Sequence, residues 1–160
     1  MIDVRAATPD AATALAELRW EFRAGREPAT ESHDAFVARC AAWMHHELTS
    51  ADAWRAWVAT RDGRAVGQVW LNSLPKIPNP VAERELHAYL SNLYVMPSER
   101  GGTGTALLEA ALAWARSQEV DRIVLWPSGR SETLYTRHGF LRPGDVMELA
   151  LGRPRPSIRQ

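Results

Sequence analysis

Apolar and polar side chains alternate through Ile2-Asp3-Val4-Arg5-Ala6, the period of a half-buried strand. Thr8-Pro9 then reads as a helix start, with Thr capping the first free amides and Pro at the first helical position. Behind it Ala11, Leu15, Leu18 and Phe22 recur every three or four residues, one face of a helix, until Gly25 and Pro28 break the pattern. A second face, Phe36, Val37, Cys40, Trp43, Met44 and Leu48, predicts a helix over about residues 32–48. From Trp54 the period changes. Residues 54–59 and 65–71 read as strands joined by Asp62-Gly63, a strong hairpin turn signal. Pro75, Pro78 and Pro80 make the next stretch a loop, and residues 86–95 read as a strand closed by Pro97. A glycine-rich turn leads to residues 106–114, apolar nearly all round apart from Glu109, which predicts a helix buried against a sheet. A short strand at 122–126 and a short helix at 131–137 follow, then a last hairpin of 139–141 with 146–151 across Pro143-Gly144-Asp145.

That order predicts a mixed α/β domain with one crossover, from 86–95 through 106–114 to 122–126. One domain over residues 1–151 is expected, with residues 152–160, holding Pro154, Pro156 and three arginines, as a loose tail. A chain of 160 residues is long enough for a self-sufficient core. Its 46% hydrophobic and 24% charged residues exclude wholesale disorder. The 19 basic and 19 acidic side chains cancel, which argues against nucleic acid as a partner. The single cysteine, Cys40, forms no internal disulfide and builds no metal site by itself, so no metal is expected. Asp3, Asp10, Glu17 and Glu21 interrupt the first thirty residues, leaving no apolar run for a signal peptide or a membrane span. A cytoplasmic protein without a membrane partner is the expectation.

Chemistry concentrates in two segments. In Arg100-Gly101-Gly102-Thr103-Gly104-Thr105, between strand and helix, glycines leave backbone amides open to approach, and the helix start adds partial positive charge. Such a place suits a phosphate, or it is simply a tight turn needing positive φ at Gly101 or Gly102. No Lys-Ser/Thr follows at P-loop spacing, and Leu107 stands where a dinucleotide fingerprint needs its third glycine. In Leu134-Tyr135-Thr136-Arg137-His138-Gly139-Phe140, Tyr135 reads as either a structural plug or a proton donor.

Taken together, Leu93-Tyr94-Val95-Met96-Pro97, the Arg-Gly-Gly-x-Gly turn, and Leu134-Tyr135 with His138-Gly139-Phe140 resemble the GCN5-related N-acetyltransferase (GNAT) superfamily. The resemblance covers residues 86–140, and the earlier part agrees in element order. It implies the GNAT fold, an α/β architecture with a mixed, mostly antiparallel central sheet of about seven strands flanked by four helices. It further implies acetyl-CoA as co-substrate, its pyrophosphate held by a Gln/Arg-x-x-Gly-x-Gly/Ala loop. Counting from Pro97 puts Arg100 at the Gln/Arg position and Thr103 at the first glycine; counting back from Gly102 and Gly104 puts Glu99 there instead. Arg100 is taken as the phosphate-side residue, since Glu99 would repel a pyrophosphate. Arg100, Gly101, Gly102, Thr103, Gly104 and Thr105 thus form the implied cofactor loop. The main chain of Leu93, Tyr94 and Val95 is implied to meet the thioester and pantetheine arm, with an amide stabilising the oxyanion. Tyr135 occupies the position of the family's usual general acid and also lines the cofactor. Ser128 stands where many members have Asn.

Direct transfer needs a base for the proton of the incoming amine. Candidates are Glu85, His87, Tyr89 and Ser91 on the strand and Glu21, His45 and His46 on the helices. Alternation puts His87, Tyr89, Ser91 and Leu93 on one face, and the near-neutral pKa of imidazole makes His87 the choice, against the reading of a surface histidine. Consecutive helical residues diverge by about 100°, so His45 and His46 do not share a metal. Trp20, Trp43, Trp54, Trp57, Trp70 and Trp126 read as core or groove wall, or as lining for an apolar or cationic acceptor. The expected activity is acetyl transfer to a primary amine of a small molecule, a metabolite or antibiotic. The rivals are a peptide or protein amine, a non-catalytic acyl-CoA-binding regulator, and an ATP- or NAD-binding protein. By analogy with the family, a homodimer is one arrangement.

Overall fold

The structure is a computed structural model and describes residues 1–26 and 28–152; beyond Gly152, the tail expected to be loose lies outside the described residues. Two compact units follow one another along the chain, Met1–Leu125 and Trp126–Gln160.

The first unit is built on a sheet in the order β1 (Ile2–Ala6), β2 (Trp54–Arg61), β3 (Arg64–Pro75), β4 (Leu86–Val95), β5 (Arg122–Val124). All neighbours are antiparallel except β4 and β5, which run parallel because the crossover through α3 (Thr103–Ser117) separates them. The β2–β3 hairpin turns at Asp62 and Gly63 with φ of 50° and 78°, both left-handed as a two-residue turn of this kind requires.

Side-chain alternation sends the two faces of the sheet to different helices. Ala56, Val58 and Trp70 join Ala12, Leu15 and Ala16 of α1 (Ala12–Ala24) and Val37 and Met44 of α2 (His33–Ser50) in one buried cluster. Residues of opposite parity meet α3. Trp57 lies 6.2 Å from Trp114, and the Arg55 guanidinium sits 4.5 Å over the Trp114 ring. Leu107, Leu108 and Ala111 are fully buried, as the apolar girth of this helix requires. Gln68 is wholly buried in the core around α1. Its Nε2 donates to the Leu15 carbonyl at 3.0 Å, and its Oε1 accepts from the Trp70 indole at 2.8 Å. Satisfied on both sides, it ties β3 to α1 without an unpaired polar group.

Helix starts differ from expectation in one respect. Thr8 makes no side-chain cap; a 3₁₀ turn, Pro9–Ala11, precedes α1. Ser32 does cap α2, its hydroxyl accepting from the Ala35 amide at 3.3 Å.

The second unit carries α4 (Glu132–Arg137). The expected hairpin of 139–141 with 146–151 does not form, so among the described residues the sheet has five strands and not about seven. Val146-Met147 and Leu149-Ala150-Leu151 put apolar side chains on both faces, so no single register buries one whole face. Pro143 adds a missing backbone donor. Leu141, Met147 and Leu149 accordingly stay exposed, by 85%, 96% and 80%.

At Gly67 α3 packs directly on the sheet. A Cβ there would meet the Tyr94 carbonyl at 3.0 Å, Leu107 Cδ1 at 3.1 Å and Val95 Cγ2 at 3.2 Å. Gly67→Ala is expected to destabilise the fold by about 1–3 kcal/mol through overpacking, read as a lower urea midpoint with an unchanged slope.

Candidate active site

The strand before the glycine turn is not regular. Gln68 of β3 faces Tyr94 of β4, whereas Trp70, two residues on, faces Ser91. Three steps along β4 against two along β3 make a β-bulge, which bends the strand and leaves a residue unpaired. Asn92 lies within it at φ 56°, a left-handed conformation Asn tolerates better than most residues. Its Oδ1 accepts from Arg19 Nη1 at 2.9 Å, so α1 holds the bulge from one side.

The bulge ends the alternation assumed from the sequence. Tyr94, opposite Gln68, takes up the face toward α1, and Leu93 does not share the face of Tyr89 and Ser91. The Tyr94 ring lies 5.2 Å from Phe22, and its hydroxyl donates to Glu21 Oε2 at 3.3 Å. Burial raises the Tyr94 pKa above that of a free phenol, with the neighbouring Glu21 charge adding to it. β5 pairs only with His87, Ala88 and Tyr89, so among the described residues no strand flanks 90–95 on that side. Backbone groups of Leu93, Tyr94 and Val95 lie along this splayed stretch.

His87 sits elsewhere on the strand. It faces Leu74 and Arg122 near the start of β4, its Nε2 3.2 Å from Asp121 Oδ2. Five residues separate it from Asn92, roughly 16 Å of strand. The structure does not bring His87 to the bulge. His45 and His46 are exposed on α2, whereas Glu21 reaches the bulge region through Tyr94.

Past Val95, Met96 donates to the Val66 carbonyl at 2.9 Å and a 3₁₀ turn, Pro97–Glu99, follows. Glu99 pairs with Arg61 across on the β2–β3 hairpin. Arg100 is exposed directly before Gly101 and Gly102, whose φ values of 110° and 114° exclude a side chain without strain. Thr103, Gly104 and Thr105, read from the sequence as turn, are instead the first turn of α3. The Ala106 amide bonds to the Gly102 carbonyl at 2.9 Å and closes that turn at once. Thr103 is buried, its hydroxyl donating to the Glu99 carbonyl at 2.7 Å, so it offers its amide and not its side chain. Helix geometry leaves the first amides without intrahelical acceptors and concentrates partial positive charge there. The space beside Gly101 and Gly102 is open.

Against the α1/α2 side of the bulge lies a cavity of about 390 Å³. Trp43 of α2, Trp54 of β2 and Trp70 of β3 stand mutually 5.6–6.2 Å apart in its wall. Ser91 and Asn92 of β4, Arg19 of α1 and Cys40 of α2 complete the lining with neighbours on α2. Burial pushes the Cys40 thiol pKa up, which suits a packing residue and not a nucleophile. A wider opening of about 620 Å³ beside residues 82–86 and Gln118 includes Glu85 in its wall and no other candidate residue. Local spacing could not reveal the cavity, because its walls come from five elements. The signals present were Asn92 inside a strand pattern and Arg19 one turn after Leu15 on an apolar helix face.

In the second unit, Tyr135 of α4 packs edge-on against Phe140 at 5.5 Å. The chain folds back through Gly139 at φ 86°, with the Phe140 amide bonded to the Tyr135 carbonyl at 3.1 Å. His138 Nδ1 donates to the Leu134 carbonyl at 2.8 Å. The Ser128 hydroxyl shares a hydrogen bond with that of Ser131 at 2.9 Å, and its amide donates to the same Ser131 oxygen at 3.0 Å, closing the turn before α4. Among the described residues no cluster of His, Cys, Asp or Glu could hold a metal, and no helix is long and apolar enough to cross a membrane.

The sequence profile of the acetyltransferase (GNAT) family matches residues 13–140. No curated protein matches. A predicted acetyltransferase from Clostridium acetobutylicum, solved with acetyl-CoA, superposes with a TM-score of 0.75 at 20% identity over 94% of this chain and 97% of its own. A GCN5-related N-acetyltransferase from Ralstonia eutropha JMP134 gives 0.74 at 24% identity, over 95% and 100%. A ribosomal-protein-alanine N-acetyltransferase from Brucella melitensis biovar Abortus 2308 gives 0.66 at 20% identity, over 96% and 100%. At these identities the likeness shows the fold.

Asn92→Val places a β-branched residue in left-handed backbone and removes the Arg19 acceptor. It is expected to cost about 1–3 kcal/mol, and Asn92→Gly less, since glycine restores the backbone; urea denaturation of the two variants measures the difference.

Proposed function

The chain belongs to the acetyltransferase (GNAT) family, and on that premise we propose that it moves the acetyl group of acetyl-CoA to the primary amine of a small molecule. The observation that carries this reading is the continuity of the β4 bulge, the Gly101-Gly102 turn and the N-terminus of α3. A splayed strand that exposes amides runs straight into a helix start that favours an anion. The amides of Gly102, Thr103, Gly104 and Thr105 would hold the pyrophosphate, with Arg100 beside them and Glu99 drawn off by Arg61. Backbone groups of Leu93, Tyr94 and Val95 would meet the pantetheine arm and donate to the thioester oxygen as negative charge builds on it.

The amine nitrogen, once neutral, attacks the thioester carbon; the new N–C bond forms as the C–S bond breaks. Tyr135, by its motif position, gives its hydroxyl proton to the departing thiolate, and Ser128 lines the cofactor on the same footing. The ammonium proton passes to Glu21 through water, because Glu21 stands by the bulge and His87 does not. The cavity of about 390 Å³ lies near the lower end of the roughly 300–1,000 Å³ of small-molecule sites. That size favours a compact acceptor over a protein segment.

Calorimetric titration with acetyl-CoA, with ATP and NAD as controls, is expected to show saturable binding of acetyl-CoA alone, on the order of micromolar or about −8 kcal/mol. Tyr135→Phe is expected to lower kcat by about 10²-fold or more with little change in acetyl-CoA affinity. Turnover unaffected by that change would remove Tyr135 as the acid.

A further inference from the structure

The cavity at the bulge carries a charge signature that bears on the acceptor. Its charged lining residues are two arginines, and no Asp or Glu is among them. Arg39 is neutralised by Glu31, its Nε 3.3 Å from Glu31 Oε2. Arg19 has no carboxylate partner among the described residues. Its Nη1 donates to the Asn92 amide oxygen at 2.9 Å, and its guanidinium lies 5.7 Å from the Phe22 ring. Burial, with Arg23 and Arg26 nearby, lowers its pKa, the mark of a cation short of counter-charge. A guanidinium has five N–H donors in a rigid fork, and the hydrogen bond to Asn92 uses one of them. The remaining donors match a carboxylate.

We infer that the acceptor is an α-amino acid with a large apolar or aromatic side chain. Its carboxylate pairs with Arg19, and its side chain fills the space between Trp43, Trp54 and Trp70. Arg19 is bonded to the bulge residue itself, so a carboxylate held there sits close to the bulge, and an amine on the adjacent carbon stays beside it. A polycationic amine finds no carboxylate in the lining and meets two arginines. A peptide N-terminus lacks the α-carboxylate that Arg19 would bind. The assignment rests on the acetyl transfer proposed above: the ammonium gives up two protons, one to the base and one that makes good the proton delivered to the CoA thiolate, while the acetyl carbon exchanges its bond to sulfur for one to nitrogen and CoA leaves as the thiol.

Binding and turnover are read separately on the full chain. The three cavity tryptophans make intrinsic fluorescence, excited at 295 nm, the binding signal for L-leucine, L-phenylalanine, their amides and kanamycin. Saturable changes are expected with both amino acids, tenfold or more weaker with the amides, which differ only in the carboxylate charge. Arg19→Ala is expected to abolish that preference, and Arg19→Lys to keep part of it at an unchanged Tm. Equal response to acid and amide, a response to kanamycin alone, or no response to either amino acid overturns the inference. Thiol release from acetyl-CoA runs in parallel. Release with the amides or kanamycin but not the amino acids keeps acetyl transfer and refutes this acceptor. Amino-acid binding with the stated preference, but no acetyl-CoA binding or release, refutes acetyl transfer and leaves Arg19 as the carboxylate site.

Discussion

One extra residue in β4 governs the functional half of the first unit. Because three steps on β4 span two on β3, Ser91 and Tyr94 both stand opposite residues of the α1/α2 face, Trp70 and Gln68. Without the bulge they would point to opposite sides of the sheet. Asn92 pays the backbone strain, and its bond to Arg19 fixes the position of α1 against it. The same offset bends the strand, and with β5 ending at Val124 no strand among the described residues flanks 90–95 on that side.

The two faces of the sheet divide the work. On one, Gly67 admits α3 closely enough for Leu107 and Val95 to touch where a side chain would stand, which seats the helix N-terminus at the end of β4. On the other, Gln68 binds both the α1 backbone and the Trp70 indole, so one wall of the aromatic cavity is pinned by a buried, fully satisfied amide. Rigid walls matter to the proposed acceptor site, where tryptophans would select by shape and Arg19, without a carboxylate partner among the described residues, by charge.

Much of this fold was legible because its signals are local. Period-two alternation marked β1 and the β2–β3 pair, Asp62-Gly63 marked their turn, and the apolar girth of residues 106–114 marked the helix buried on the sheet. The motif around Arg100 to Thr105 pointed to the family, but spacing alone could not show that Glu99 is held by Arg61 and that the helix starts at Thr103. What stayed hidden depends on tertiary convergence. Strict alternation assumed no bulge, so it put Leu93 on the wrong face; it also favoured His87, which lies near the start of β4 beside Asp121 and away from the bulge. Arg19, Trp43, Trp54, Trp70 and Asn92 are far apart in sequence and meet only in the folded sheet. The final hairpin was inferred from a turn signal alone, and apolar residues on both of its faces give it no register to prefer.

The proposed site depends on backbone amides of β4 and α3 receiving one ligand. An amide-resolved NMR titration of the full chain with acetyl-CoA tests this directly. The largest shifts are predicted at Leu93, Tyr94 and Val95 and at Gly101 through Thr105, saturating together. Shifts concentrated elsewhere, or confined to the glycine turn with β4 unmoved, would contradict a site that runs from the bulge into the helix.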